Sequence, residues 1–324
     1  MAVHIFSVNE ENYRVCIRRG LVGLPEPGNT SRKNSTLDGL ISRLSAVRDN
    51  DYILMYVRGK KELRGLWKAE GRAFYDETPV WEDKIYPLRC KIKCSEFRFT
   101  NSLKLNDIRD LQNMGMIWTW ALQRATGTNA MFSVSDKEFE ILLAEYMKIN
   151  PFTMSREIIP EPYPCHEYNL MDYIHIEDHQ PQYEYSIMAL LNDAFANNKY
   201  TDIFGNHTDY LSYVPTSLGR EMDIMLMFAN PITKNSIVSY DIIEVKRSVF
   251  DEKALAQLID YESWFLHKKA AGDLKMLRTT AIARSYSETV IDYVRKRGDF
   301  ENKRIKLLTY DCAEEGHLKL TRIL

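Results

Sequence analysis

The chain has 324 residues, 45% apolar and 27% charged, with a formal net charge of −2. That balance excludes wholesale disorder, and the length is too great for one core of ordinary size, so two domains of roughly 150 residues are the default. No run of about 18 apolar residues occurs and Met1-Ala2-Val3-His4 opens no secretory signal, so a soluble cytoplasmic protein without a membrane partner is expected.

In chain order, Val3 to Val8 and Tyr52 to Val57 have the β-branched and aromatic content of strands, as do Leu63 to Ala69 and Tyr86 to Cys94. Leu37, Leu40, Ile41 and Leu44 have helical spacing, which predicts a helix over 37–47 capped by Thr36. Before it, residues 23–36 read as a polar loop holding the basic pair Arg32 and Lys33, suited to phosphate contact. Ser135 and Glu138 form a capping box for a helix over 135–148. Short strands with few helices suggest a small mixed barrel.

Five of the eleven prolines lie in 151–181, and residues 151–222 carry 11 Asp and Glu against 3 Lys and Arg. Proline fixes φ and removes a donor, so 151–181 is expected to be an acidic extended linker between domains at 1–150 and 182–324. The five scattered cysteines exclude a disulfide framework.

The second half alternates: a helix at 182–197, strands at 221–228 and 238–246, a helix at 252–267, a strand near 277–284, a helix at 287–297, and final strands at 304–310 and 317–322. The expected fold class is therefore α+β and α/β in two domains, the second a mixed sheet flanked by helices. Strand alternation puts Glu244 and Lys246 on one face, beside a strand carrying Asp223. Two converging carboxylates favour a hard divalent cation, and a neighbouring lysine can orient water or stabilise phosphate charge. Gln257 and Tyr261 then share a helix face at i, i+4. These parts suit metal-assisted phosphodiester hydrolysis.

Glu184 on a helix, Asp223 on a strand, Glu244-Val245-Lys246 on the next and Gln257-Leu258-Ile259-Asp260-Tyr261 on a helix together resemble the PD-(D/E)XK nucleases, particularly the RecB-type and archaeal repair branches. The resemblance covers about 182–310 and implies a restriction-endonuclease-like sheet. It also implies Asp223, Glu244 and the Val245 carbonyl as ligands of Mg²⁺, with Mn²⁺ as a substitute. Lys246 becomes the catalytic lysine, Gln257 and Tyr261 phosphate or active-site contacts, and Glu184 the helix acid. Met222 departs from the family's nominal proline.

In the first half, Ser7-Val8-Asn9, Leu63-Arg64-Gly65-Leu66-Trp67-Lys68, Tyr75-Asp76, Trp81 and the closing stretch Arg124 to Ala130 resemble the EVE and YTH members of the PUA-like superfamily. That resemblance implies a pocket for one extruded, modified base, with Ser7, Asn9, Trp67 and Trp81 as its residues and Arg32 and Lys33 on the backbone. The combined expectation is a DNA endonuclease of restriction or modification-dependent type, acting on double-stranded DNA and, for double-strand cuts, as a homodimer. The alternatives are a structure- or lesion-specific repair nuclease and a non-catalytic reader that binds RNA.

Overall fold

The structure is a computed structural model describing residues 2–119, 130–150, 159–233, 236–301, 303, 305–312 and 317–324. The PUA-like closing stretch at 124–129 and the start of the proline-rich segment at 151–158 lie outside the described residues. The chain divides into two compact units, Met1–Ile174 and His175–Leu324. Among the described residues no helix is long and apolar enough to cross a membrane.

The first unit runs β1 (Val3–Val8), α1 (Glu10–Arg19), β2 (Leu21–Leu24), α2 (Lys33–Ser45), β3 (Tyr52–Val57) and β4 (Glu62–Tyr75). After these come β5 (Leu88–Cys94), β6 (Leu103–Lys104), α3 (Leu105–Asn113), β7 (Met131–Val134), α4 (Asp136–Ile149) and β8 (Tyr168–Asn169). They form one mixed sheet in the order β2-β5-β4-β3-β1-β7, with β6 and β8 pairing β4. Only β1 and β3 among these neighbours are parallel. Both are buried on both faces, as parallel pairs are. Val3, Ile5, Leu54 and Leu63 pack into one core with Ile108 of α3 and Leu142 of α4.

Three expectations change here. The sequence reading placed no helix at Glu10–Arg19, because its core-facing residues are Asn12 and Cys16 rather than aliphatics. The first turn is nonetheless marked, since the Asn9 side chain accepts from Asn12 N at 2.6 Å. Helix α2 begins a turn earlier than Leu37 and takes in Lys33 to Thr36, so Arg32 and Lys33 sit at a helix start rather than in a loop. Residues 160–174 are extended, as the prolines require, but they strap onto the first unit rather than spanning free. Glu161 N donates to Arg18 O, Thr78 Oγ1 donates to Pro164 O, and β8 extends the sheet beside β4.

The second unit holds β9 (Ile176–Glu177), β10 (Gln180–Pro181), α5 (Glu184–Ala196), α6 (Thr201–Phe204), β11 (Asp209–Pro215), β12 (Glu221–Ala229) and β13 (Ile237–Phe250). It closes with α7 (Glu252–Lys268), β14 (Leu277–Tyr286), α8 (Glu288–Glu301), β15 (Lys306–Cys312) and β16 (Leu318–Arg322). The last six strands form a mixed sheet in chain order, β11 to β16. The β13–β14 and β14–β15 pairs are parallel and the others antiparallel, so α7 and α8 are crossover helices of an α/β core. Mixed sheets with helices in two units are the fold class the sequence implied. Strand β13 does not end at Lys246 but continues to Phe250 past a register shift, an irregularity common beside functional sites.

Candidate functional site

Strands β12 and β13 pair through Ile224 and Ile243, and at the next step the ladder gives way to a side chain. The Asp223 carboxylate accepts the Val245 N–H at 2.7 Å, which fixes it between the two strands. Glu244 on β13 is fully buried. Its Oε1 accepts from Lys246 Nζ at 2.6 Å and from Gln257 Nε2 at 2.8 Å. Its Oε2 is buried with no hydrogen-bond partner. Lys246 Nζ also donates to the Val245 carbonyl at 3.1 Å and lies 3.6 Å from Glu184 Oε1 at the start of α5. The fold thus brings Asp223, Glu244, Lys246, Gln257 and Glu184 to one point from three layers of structure.

Helix α7 supplies the outer support. Asp251 caps it by accepting from Ala254 N at 2.9 Å, and Gln257 and Tyr261 then face the sheet one turn apart. Gln257 Nε2 also donates to Tyr261 OH at 3.0 Å, and Tyr261 OH donates to the Glu221 carbonyl at 2.7 Å. Tyr261 is fully buried. This corrects the expectation that it contacts phosphate: a side chain sealed against the scaffold positions Gln257 instead.

The electrostatics follow from packing acids out of water. Burial, then the charge of Glu244, holds the Asp223 carboxyl well above the usual carboxylate range, and Lys246 only partly offsets this. Burial likewise lifts Glu244 to about 7, against the pull of Lys246 and with the push of Glu184. Glu184 is raised by burial, with Lys246 opposing. For Lys246 burial works against the charge, but Glu244, Asp223 and Glu184 outweigh it and hold the ammonium firmly protonated. Three carboxylates against one ammonium, with an orphaned buried oxygen among them, is a site short of positive charge.

A hard divalent cation fits that deficit. Among the described residues no group of three or more His, Cys, Asp or Glu side chains could hold a metal ion by itself. Mg²⁺ characteristically takes one or two carboxylates and keeps several waters, so Asp223 and the free Oε2 of Glu244 are a sufficient protein contribution. The Val245 carbonyl, expected as a third ligand, is engaged by Lys246.

In the first unit, a cavity of about 120 Å³ opens between β1, α1 and the 81–86 loop. Ser7, Asn12, Cys16, Trp81 and Tyr86 line it, together with the exposed cations Arg58 and Lys84. Trp81 and Tyr86 meet at 4.9 Å between ring centroids, tilted by 52°. Gly23 permits this, because a Cβ there would lie 2.9 Å from both. Arg89, itself buried and ion-paired to Asp76 at 2.6 Å, backs Trp81 with its guanidinium 5.4 Å from the ring centroid. Burial pushes the Cys16 thiol up to about 12, which keeps it a neutral wall.

Of the residues expected in a base pocket, Ser7 and Trp81 line this cavity and Asn9 caps the helix that delivers Asn12 and Cys16. Trp67 does not line it. Its indole packs over Gly65, where the φ of +80° and the 2.2 Å approach of Nε1 to a Cβ both require glycine. Arg32 and Lys33 stand elsewhere on the surface, Lys33 3.9 Å from Glu26. Sequence reasoning missed Asn12, Cys16, Tyr86, Arg58 and Lys84. The signal for the first two was Asn9 followed by Glu10 and Glu11, a helix start that puts 12 and 16 on one face.

No family model matches the chain, and no curated protein is similar to it. Solved structures that match include human THYN1 protein in complex with 5-methylcytosine-containing DNA, at 10% identity and a TM-score of 0.31, covering 45% of this chain and 98% of that one. Another is Rpa0253 from Rhodopseudomonas palustris, at 15% identity and a TM-score of 0.30, covering 46% of this chain and 94% of that one.

Proposed function

We propose that this chain is a metal-dependent DNA endonuclease of the PD-(D/E)XK type, whose first unit is a PUA-like reader holding one base of the substrate. The observation that carries the nuclease reading is the convergence of Asp223, Glu244 and Lys246 around a buried carboxylate oxygen without a partner. Asp223 and Glu244 would hold Mg²⁺, or Mn²⁺ in its place. When bound, such a cation supplies charge for a phosphoryl oxygen and a more acidic water.

The chain's own residues then have separable tasks. Gln257 fixes Glu244 Oε1, so that Oε2 is the oxygen left to the site. Lys246, held positive between Glu244 and Glu184, places an ammonium where charge grows on a phosphate under attack. Tyr261 keeps Gln257 in register by anchoring to the β12 backbone. One such site cuts one strand, so double-strand cleavage calls for a homodimer on double-stranded DNA.

Supercoiled plasmid incubated with Mg²⁺ tests this reading. The wild type is expected to nick or linearise it, EDTA to stop the reaction, and Glu244→Ala or Lys246→Ala to slow it by about 100-fold or more. Cutting that survives both substitutions, or that needs no metal, removes the assignment.

A further inference from the structure

The cavity of the first unit has a hydrogen-bond polarity fixed by three residues. Tyr86 OH donates to Asp83 Oδ2 at 2.8 Å. A carboxylate oxygen only accepts, so the single hydroxyl proton is spent there. The Tyr86 oxygen, 2.6 Å from the Asn12 amide, must therefore accept, and the group facing it is the Asn12 NH₂. The same Nδ2 lies 3.5 Å from Asp83 Oδ2, which again demands nitrogen rather than oxygen. The opposite amide rotamer would set a carbonyl oxygen against a carboxylate and a hydroxyl with no proton left to share.

Asn12 Oδ1 is thereby turned the other way. Among the described residues it has no hydrogen-bond partner, and it is not among the buried polar atoms sealed off without one. Asn12 as a residue is only 6% exposed and lines the cavity, so this oxygen faces into the cavity. The remaining walls are the faces of Trp81 and Tyr86 and the neutral Cys16 thiol, which suit a flat ring. Arg58 and Lys84 complete the lining with positive charge, which suits a ligand attached to phosphate.

We infer that this cavity selects a nucleobase bearing an amino group, cytosine or adenine in plain or ring-methylated form, by accepting its exocyclic N–H at Asn12 Oδ1, with Tyr86 as the residue that fixes the acceptor in place. The inference rests on the base-reading role proposed for the first unit and names the chemical class that role selects. An acceptor held in a confined site rejects a ligand without a donor, because the oxygen is then left desolvated and unpaired.

The test uses the full chain in EDTA, so that no strand is cut, and a labelled duplex with one cytosine opposite an abasic site. A second duplex carries N4,N4-dimethylcytosine there, which keeps the ring and loses both amino protons. Neither base is paired, so extrusion costs are alike. Fluorescence anisotropy is read over an unlabelled, fully paired competitor. The wild type is expected to bind the cytosine duplex about tenfold more tightly, and Tyr86→Phe, which keeps the ring but frees the amide to rotate, to lose most of that ratio. Asn12→Leu is expected to lose it as well. Equal, specific binding of the two duplexes by wild type, or an undiminished ratio in Tyr86→Phe, overturns the inference and leaves the reading role standing. Failure of wild type to bind either duplex above the competitor overturns that role and the inference together.

Discussion

Glu244 is held by two donors and still has an oxygen to give, and that asymmetry is set by Gln257. Residues that orient a ligand without touching the metal typically matter by 10–100-fold in metal affinity or activity. Gln257→Ala is therefore expected to raise the Mg²⁺ concentration for half-maximal cleavage by at least about tenfold, with the fold intact by circular dichroism. An unchanged Mg²⁺ dependence would mean that Gln257 does not orient the site. A second residue-scale expectation concerns Glu62, buried between Arg64 (2.6 Å) and Lys104 in the first unit. Burial opposes its charge, but Lys104, Ser102 and Arg64 prevail and bring it from 4.5 down to about 2. A folded-state value below the unfolded one means stability that is full above about pH 4.5 and drains away as pH falls toward 2. Acid unfolding of Glu62→Gln should accordingly lose stability less steeply across that window than wild type. An acid limb as steep as that of wild type would contradict this.

Helix α7 serves the site on one face and the core on the other. Opposite Gln257, Glu262 is 5% exposed and accepts from Thr279 Oγ1 at 2.7 Å and from Arg297 of α8, tying helix, sheet and helix together. Removing one partner of a buried pair leaves the other charge unpaired, so Glu262→Ala is expected to destabilise the second unit by about 3–5 kcal/mol in urea unfolding. A loss under about 1 kcal/mol, the range of a surface pair, would show the triad to be solvated. Both α7 and β13 were legible in the sequence because aliphatic residues recur at their periods: Leu255, Leu258 and Phe265 on the helix, and Ile242, Ile243 and Val245 on the strand. Helix α1 was not, since its buried face is built from Asn12 and Cys16. Strand β11 was also missed, because Asp209, Ser212 and Pro215 interrupt its apolar pattern. The Asp223–Glu244–Lys246 cluster could be read from residue type and spacing. The cavity could not, because Trp81 and Tyr86 come to Asn12 only through the packing of a loop over Gly23.

At the scale of the whole chain, the acidity of 151–222 has a partial explanation in the strap. Glu161 lies 3.6 Å from Arg18 and 3.5 Å from Arg19, and Glu167 pairs with Lys91, so acids there face bases on the first unit. Such exposed pairs contribute little individually. Tyr163, by contrast, lies against the buried Arg89, whose guanidinium is 5.6 Å from its ring centroid. A fragment of residues 1–174 should therefore melt several degrees above one of residues 1–150, since about 1 kcal/mol moves a domain of this size by a few degrees. Equal melting would return the strap to the status of a spacer. The central claim joins the two units: one reads a base and the other cuts. It is tested most directly by offering two matched plasmids, one unmodified and one methylated at cytosine and adenine, to wild type and to Glu244→Ala with Mg²⁺. The account predicts discrete bands from wild type, an unequal response to the two plasmids, and no bands from Glu244→Ala. Intact plasmids of both kinds under wild type, or equal cutting by the mutant, would contradict it.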